Sequence, residues 1–264
     1  MPAMMPQPGR PDPTRPGPPD LCAVVLAAGE GARLRPLTRL RPKVLCPVGG
    51  TALVDLALQR ARTATDAIAV NVHHDRAAIE AHLDGRVHLS VEEGEARGTA
   101  GALGVLRPWI GGRGVLVLNG DTWAPGDLAP AAAGWDRERL RVLVAGDDWL
   151  GPTSRVAAAF MPWTEVSRLA PTPSGLWEVS WRHCLAAGRV EVVRWDGPCH
   201  DCGTPARYLA ANLASSGGAS VVGDGARVDG TIERSVLWPG AVVRAGEVLV
   251  DAIRTGDGMT VLVR

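Results

Sequence analysis

The chain has 264 residues, 46% of them hydrophobic and 21% charged. That length supports one substantial core with an appendage, or two modest domains. Its 28 basic and 28 acidic residues balance to zero net charge, without the basic surplus of a dedicated nucleic-acid binder, and no apolar run is long enough for a membrane helix.

One count stands out. Of the 28 basic residues, Lys43 is the single lysine and the other 27 are arginine. A coding bias replaces lysine by arginine wherever either serves. A lysine that survives such a bias marks a position where a compact ammonium is wanted rather than a planar guanidinium.

In chain order, residues 1–20 hold eight of the 21 prolines and almost no large apolar side chains. Such a segment buries too little surface to offset its ordering entropy, and disorder is expected there. Cys22–Leu26 reads as a short buried strand running into a glycine-rich loop. A helix pattern follows over about Leu53–Ala64, a strand over Ala67–Val72, a helix over Arg76–Leu83 and a strand over Val87–Val91. Thr99–Leu106 reads as helix and Val115–Leu118 as a strongly apolar strand. Strands alternating with helices of this length imply right-handed crossovers and a mostly parallel, Rossmann-like α/β sheet covered on both faces. Ligands of such sheets bind beyond the carboxyl ends of the strands. Residues 27–43 and Asn119-Gly120-Asp121 lie at those ends.

The texture changes after about Ala214. Short apolar pairs recur near every sixth residue (Val221-Val222, Val228, Val236-Leu237, Val242-Val243, Val248-Leu249), with glycine turns between them. This spacing predicts hexapeptide repeats of a left-handed β-helix over 215–264, an antiparallel hairpin tail being the alternative. The expected division is therefore a Pro-rich extension over 1–20, a catalytic domain over 21–214 and the tail.

The five cysteines are odd in number, and the N-terminus shows no signal-peptide core, which predicts reduced thiols and a cytoplasmic protein. Cys199 and Cys202 flank His200-Asp201, but a structural zinc site needs two more ligands at matching spacing.

The loop Leu26-Ala27-Ala28-Gly29-Glu30-Gly31-Ala32-Arg33, continuing to Pro42-Lys43, lets backbone N–H groups approach phosphate oxygens. Arg33 can fork onto such oxygens and Lys43 can supply a point charge. The loop has neither the P-loop pattern nor the dinucleotide fingerprint, and a strand-to-helix turn with solvated arginines would look similar.

LAAGEGARLRPLTRLRPKVLCPVGG, from Leu26, closely resembles the signature of the sugar-1-phosphate nucleotidylyltransferases. The resemblance continues, in family order, through VNVHH at Val70–His74 and EEGEARGTAGAL at Glu92–Leu103. LNGDTW at Leu118–Trp123, DCGTPARYLAAN at Asp201–Asn212 and the hexapeptide-like tail complete it. It implies transfer of a nucleotidyl group from an NTP to a sugar-1-phosphate, with release of pyrophosphate. By the same resemblance Leu26, Ala27, Ala28, Gly29, Gly31, Ala32 and Arg33 would hold the nucleotide, with Glu92, Gly98, Thr99 and Asn119 beside the base. Glu92 could accept from a guanine edge or be solvated. Thr99 and Gly101 could admit a base or serve close helix packing. Arg33, Lys43, Asp121 and Asp201 would form the reacting centre, the two aspartates holding Mg²⁺, whose octahedral oxygen shell suits carboxylates, water and phosphates. Gly203 would meet the sugar, and Glu178, in Gly175-Leu176-Trp177-Glu178-Val179, is a candidate for binding sugar hydroxyls or an exposed helix glutamate.

Many members carry a second lysine, in an FxEKP-like string, that grips the sugar phosphate. This chain lacks it, and Arg155 or Arg168 could replace it. The RGTAGAL string and the tail resemble mannose-1-phosphate guanylyltransferases, which makes GTP and mannose-1-phosphate the expected pair. NGD-x-W and the missing lysine resemble the branch acting on N-acetylmuramate-1-phosphate, so a uridylyltransferase is the alternative. A catalytically silent nucleotide-sugar-binding regulator and a cytidylyltransferase are further alternatives. The expected partners are the two substrates and, through the tail, further copies of the chain.

Overall fold

The computed structural model describes residues 20–146 and 148–263. The Pro-rich stretch, apart from Asp20, lies outside the described residues. A seven-stranded sheet forms the centre, built from β1 (Leu21–Leu26), β2 (Ile68–Val72), β3 (His88–Val91), β4 (Gly114–Asn119), β5 (Leu140–Ala145), β6 (Val156–Met161) and β7 (Val190–Trp195). Their order across the sheet is β7-β5-β6-β4-β1-β2-β3. All neighbours pair in parallel except at β6, which runs antiparallel to both β4 and β5. The sheet is thus mixed and mostly parallel. The ten-residue connection from β5 to β6 is too short for a crossover helix and returns the chain antiparallel.

β1 explains how both faces are covered. Ala23 and Val25 join one core with Val54 and Leu58 of helix α1 (Leu53–Arg62) and Ile79 and Leu83 of helix α2 (Arg76–Leu83). Cys22 and Val24 point to the other side, against Leu103, Leu106 and Ile110 of helix α3 (Gly98–Ile110). Side chains alternate across a strand, so a strand buried on both faces must be apolar at every position.

Glycines set how closely α3 approaches its neighbour. A Cβ on Gly101 would come 2.4 Å from the Thr172 carbonyl oxygen, and one on Gly104 would come 2.3 Å from that of Ala170. Gly101 therefore serves close packing, one of the two readings open from the sequence.

The final helix, α4 (Pro205–Ser215), leads into the tail. There Val221-Val222 pairs in parallel with Val236-Leu237, and Val236-Leu237 pairs with Ile253-Arg254. Arg227-Val228 pairs in parallel with Val242-Val243, and Thr231–Glu233 with Val248–Val250. The last strand, Thr260–Leu262, turns back antiparallel on Ala252–Arg254. Leu237, Ala241, Val243, Leu249 and Ala252 fill the interior between these short strands.

Tyr208 of α4 ties the tail to the rest. Its hydroxyl donates to the Pro47 carbonyl and accepts from Trp238 Nε1 at 2.9 Å. Asn212 accepts from Gly49 N at 3.1 Å and donates to the Tyr208 carbonyl at 3.1 Å. Both side chains are fully buried, so these bonds satisfy groups that water cannot reach.

No helix among the described residues is long and apolar enough to cross a membrane. All five cysteines are buried and unbonded.

Candidate active site

The carboxyl ends of β1 and β4 open onto the same side of the sheet. From β1 the chain enters the glycine-rich loop. Ala27 N donates to Asn71 Oδ1 at 2.9 Å, and Asn71 Nδ2 donates to Glu92 Oε1 at 2.7 Å. Arg97 N donates to the other carboxylate oxygen of Glu92, also at 2.7 Å. One buried chain of bonds therefore fixes the loop to the ends of β2 and β3 and to the start of α3. Glu92 is 5% exposed and both its oxygens are engaged. It braces the loop from behind and is not solvated, which removes one of the two readings open from the sequence.

The loop then folds back on the single lysine. Gly31 adopts φ 69°, and a Cβ there would lie 2.9 Å from both Lys43 Cβ and Thr38 Cγ2. Thr38 Oγ1 donates to the Gly31 carbonyl at 3.0 Å, holding the turn. Glycine is needed here for the positive φ and for the close approach alike.

Lys43 begins a short 3₁₀ turn, Lys43–Leu45, and is buried. Its ammonium donates to Asp121 Oδ2 and lies 3.8 Å from Asp201 Oδ1. The two aspartates meet because Thr122-Trp123 pairs antiparallel with His200-Asp201, with Asp201 opposite Thr122. Cys202 N adds a bond to the Asp121 carbonyl at 3.0 Å. Gly120 N bonds the Leu26 carbonyl at 2.8 Å, setting Asp121 beside the end of β1.

Further cations surround Asp201. Arg207 Nη1, in the first turn of α4, lies 2.7 Å from its Oδ2. A Cβ on Gly203 would fall 2.8 Å from Asp201 Oδ1 and 3.2 Å from Arg33 Nη2. Gly203 thus leaves the gap into which Arg33 and Asp201 both reach. Burial, and then the charge of Arg155, push the His200 imidazole below its usual pKa. The buried Cys199 and Cys202 are apolar flanks, and burial raises both thiol pKa values.

A cavity of about 560 Å³ adjoins these groups. Of the expected site residues, Leu26, Arg33, Thr99, Asn119, Asp121, Glu178 and Asp201 line it. Ala27, Ala28, Gly29, Gly31, Ala32, Lys43, Glu92, Gly98 and Gly203 stand outside that lining, Lys43 reaching it through its two aspartates. Thr99 Oγ1 accepts from Leu176 N at 2.8 Å and so fixes the wall that carries Glu178. That wall is a turn of π-helix, Trp177–Trp181, and the Glu178 carboxylate folds back over Gly175. Arg155 lines the cavity as well. Arg168 lies elsewhere and pairs with Glu165 at 3.3 Å.

Sequence reasoning missed Arg207, Trp177 and Trp181, all in the lining. Arg207 was within reach: Thr204-Pro205 is a helix start, and the third residue after the cap lies on the first turn. The tryptophans gave no comparable signal, because an apolar wall and a core patch look alike in sequence.

The donor set fits a hard divalent cation. Two carboxylates from different segments converge, about one-third exposed toward the cavity. No group of three or more His, Cys, Asp or Glu side chains assembles for a metal among the described residues. Mg²⁺ does not require one, since it keeps several waters and phosphate oxygens in its shell.

Residues 22–146 match the family model described as Nucleotidyl transferase. The N-acetylmuramate alpha-1-phosphate uridylyltransferase of Caulobacter vibrioides is 39% identical over 133 residues, covering 46% of this chain and 55% of that protein. The protein of the same name from Neisseria meningitidis serogroup B is 34% identical over 116 residues, 41% of this chain and 50% of the relative. The chain therefore matches about half the length of these curated relatives. The putative glucose-1-phosphate thymidylyltransferase of Bacillus anthracis is similar in structure, with a TM-score of 0.63 and 21% identity. That similarity covers 74% of this chain and 95% of the other. A UDP-glucose pyrophosphorylase from Acinetobacter baumanii gives 0.60 and 17%, over 73% and 92%. At these identities the likeness is one of fold.

Proposed function

We propose that this chain, a member of the nucleotidyl transferase family through residues 22–146, transfers a nucleotidyl group from a nucleoside triphosphate to a sugar-1-phosphate. The observation that carries this reading is the convergence of Lys43 with Asp121 and Asp201 beside a cavity large enough for both substrates.

In the proposed reaction an oxygen of the sugar phosphate attacks the α-phosphorus and a new P–O bond forms. The bond from that phosphorus to the β-phosphate oxygen breaks, and the electron pair leaves with pyrophosphate. The nucleophile is already ionised at pH 7, so no residue has to act as base. The work of the protein is orientation and charge neutralisation. The loop from Ala27 to Arg33 wraps the triphosphate, and Lys43 supplies a buried positive charge at the reacting phosphates. A divalent cation held by Asp121 and Asp201, Mg²⁺ by the nature of the donors, would neutralise charge on the phosphate oxygens.

UTP and N-acetylmuramate-1-phosphate are the favoured substrates, ahead of the GTP and mannose-1-phosphate expected from the sequence. The names of the relatives from Caulobacter vibrioides and Neisseria meningitidis support that choice. We read the tail as a short parallel β-helix, from its stacked parallel strand pairs.

The test is a pyrophosphate-release screen of the nucleoside triphosphates against a panel of sugar-1-phosphates with Mg²⁺. Turnover with UTP and N-acetylmuramate-1-phosphate is expected. Silence across the panel, with nucleotide-sugar binding retained by calorimetry, would replace the enzyme with a binding protein.

A further inference from the structure

We infer that Arg155 receives the phosphate of the sugar-1-phosphate, an assignment that rests on the nucleotidyl-transfer reading above. The sugar phosphate must approach a triphosphate, and two polyanions meet only where fixed positive charge offsets their repulsion. The chain has one lysine. That ammonium is shared between Asp121 and Asp201, so the second phosphate needs an arginine.

Three arginines line the cavity: Arg33, Arg155 and Arg207. Arg207 is paired with Asp201 at 2.7 Å. Arg33 faces Asp201 across Gly203 and belongs to the glycine-rich loop, which the proposed function gives to the triphosphate. Arg155 has no carboxylate partner among the described residues. It stands at the start of β6, two strands away from β1 and next to the end of β5. Its guanidinium lies close over Gly146, 3.4 Å from where a Cβ would be, and it shares the cavity lining with His200 and Asp201. An anion held by Arg155 would thus sit in the cavity that Asp121 and Asp201 also line.

A guanidinium serves this task differently from an ammonium. It offers two parallel N–H donors that match two oxygens of one phosphate, and so fixes the direction of the attacking oxygen as well as its charge. Arg168, the other arginine that the sequence offered, is spent on Glu165, which also pairs with Arg189.

The full chain carrying Arg155→Gln, Arg155→Lys or Arg168→Gln is assayed for KM and kcat. N-acetylmuramate-1-phosphate and N-acetylglucosamine-1-phosphate, which lacks the lactyl carboxylate, are each varied at saturating UTP, and UTP is then varied at saturating sugar phosphate. Arg155→Gln is expected to raise KM for both sugar phosphates by about tenfold or more. KM for UTP should stay within about twofold, since that phosphate group is held elsewhere. Arg155→Lys should recover part of the loss, and Arg168→Gln should match the wild type. A KM unchanged for both sugars would overturn the assignment. A rise confined to N-acetylmuramate-1-phosphate would also overturn it, moving Arg155 to the lactyl carboxylate. Inactivity of the wild type across the full panel of triphosphates and sugar-1-phosphates would instead strike the transfer reading itself.

Discussion

Lys43 donates a hydrogen bond to Asp121 and holds the same ammonium 3.8 Å from Asp201, so one buried cation joins two carboxylates from distant segments. Its stem is gripped as well, with Gly31 packed against its Cβ and Cδ. A compact ammonium fits at the end of that stem. A guanidinium is longer, planar and directional, and would have to displace one aspartate or the loop.

Lys43→Arg is therefore expected to fold normally and to lose at least about tenfold in kcat, although it keeps the charge. Steady-state kinetics with a thermal melt as control checks this. Full activity would make the surviving lysine an accident of coding.

Asp121→Asn and Asp201→Asn should each weaken divalent-cation binding by about tenfold to a hundredfold, as loss of a charged oxygen donor generally does. Titration with Mn²⁺ followed by electron paramagnetic resonance reads the affinity without reference to turnover. Equal affinity in both variants and the wild type would place the metal elsewhere.

The chain's only tyrosine has a structural role. Tyr208→Phe leaves Trp238 Nε1 without its acceptor and removes one donor from the Pro47 carbonyl, both inside the packed junction of loop, α4 and tail. A loss of about 1–3 kcal/mol is expected, the usual cost of an unsatisfied buried polar group. Urea denaturation measures it, and an unchanged midpoint would show that the junction relaxes around the missing hydroxyl.

The strands next to the phosphate loop were legible because they are apolar at every position and are bounded by glycine and polar residues. β1, β2 and β4 were found within a residue or two of their observed ends. β6 and its antiparallel direction were not, because Val156–Met161 is half alanine and direction is set by the length of the preceding connection. At the site, Lys43, Asp121 and Asp201 were expected together from a resemblance, each being an ordinary polar residue on its own. Glu92 was legible as a residue beside the pocket but not as a brace. Its partner Asn71 comes from a different strand, and the bond from Arg97, five residues on, depends on how the intervening loop turns back.

Asp136 carries an acid-sensitive element of stability. It accepts bonds from Arg139 N at 3.0 Å, from Glu138 N at 2.9 Å and from the Arg139 side chain at 2.7 Å, and these hold its pKa down from 3.8 to about 2. The charged form is favoured in the folded state. Its contribution is therefore complete above 3.8 and is lost as the pH falls toward 2. The group is well exposed, so the contribution is below about 1 kcal/mol. Asp136→Asn should be less stable than the wild type near neutrality and should converge with it in acid. Melting curves across that range check the convergence, and a constant gap would contradict it.

Lys43, Asp121 and Asp201 are proposed to serve attack at the α-phosphorus. The most direct measurement uses UTP labelled with ³²P at either the α or the γ position, incubated with N-acetylmuramate-1-phosphate and Mg²⁺. The α label is expected in the nucleotide-sugar and the γ label in pyrophosphate, with Lys43→Arg slowing both together. Release of the α label as UMP, or of the γ label as free phosphate, would place the chemistry at water or at another phosphorus and contradict that role.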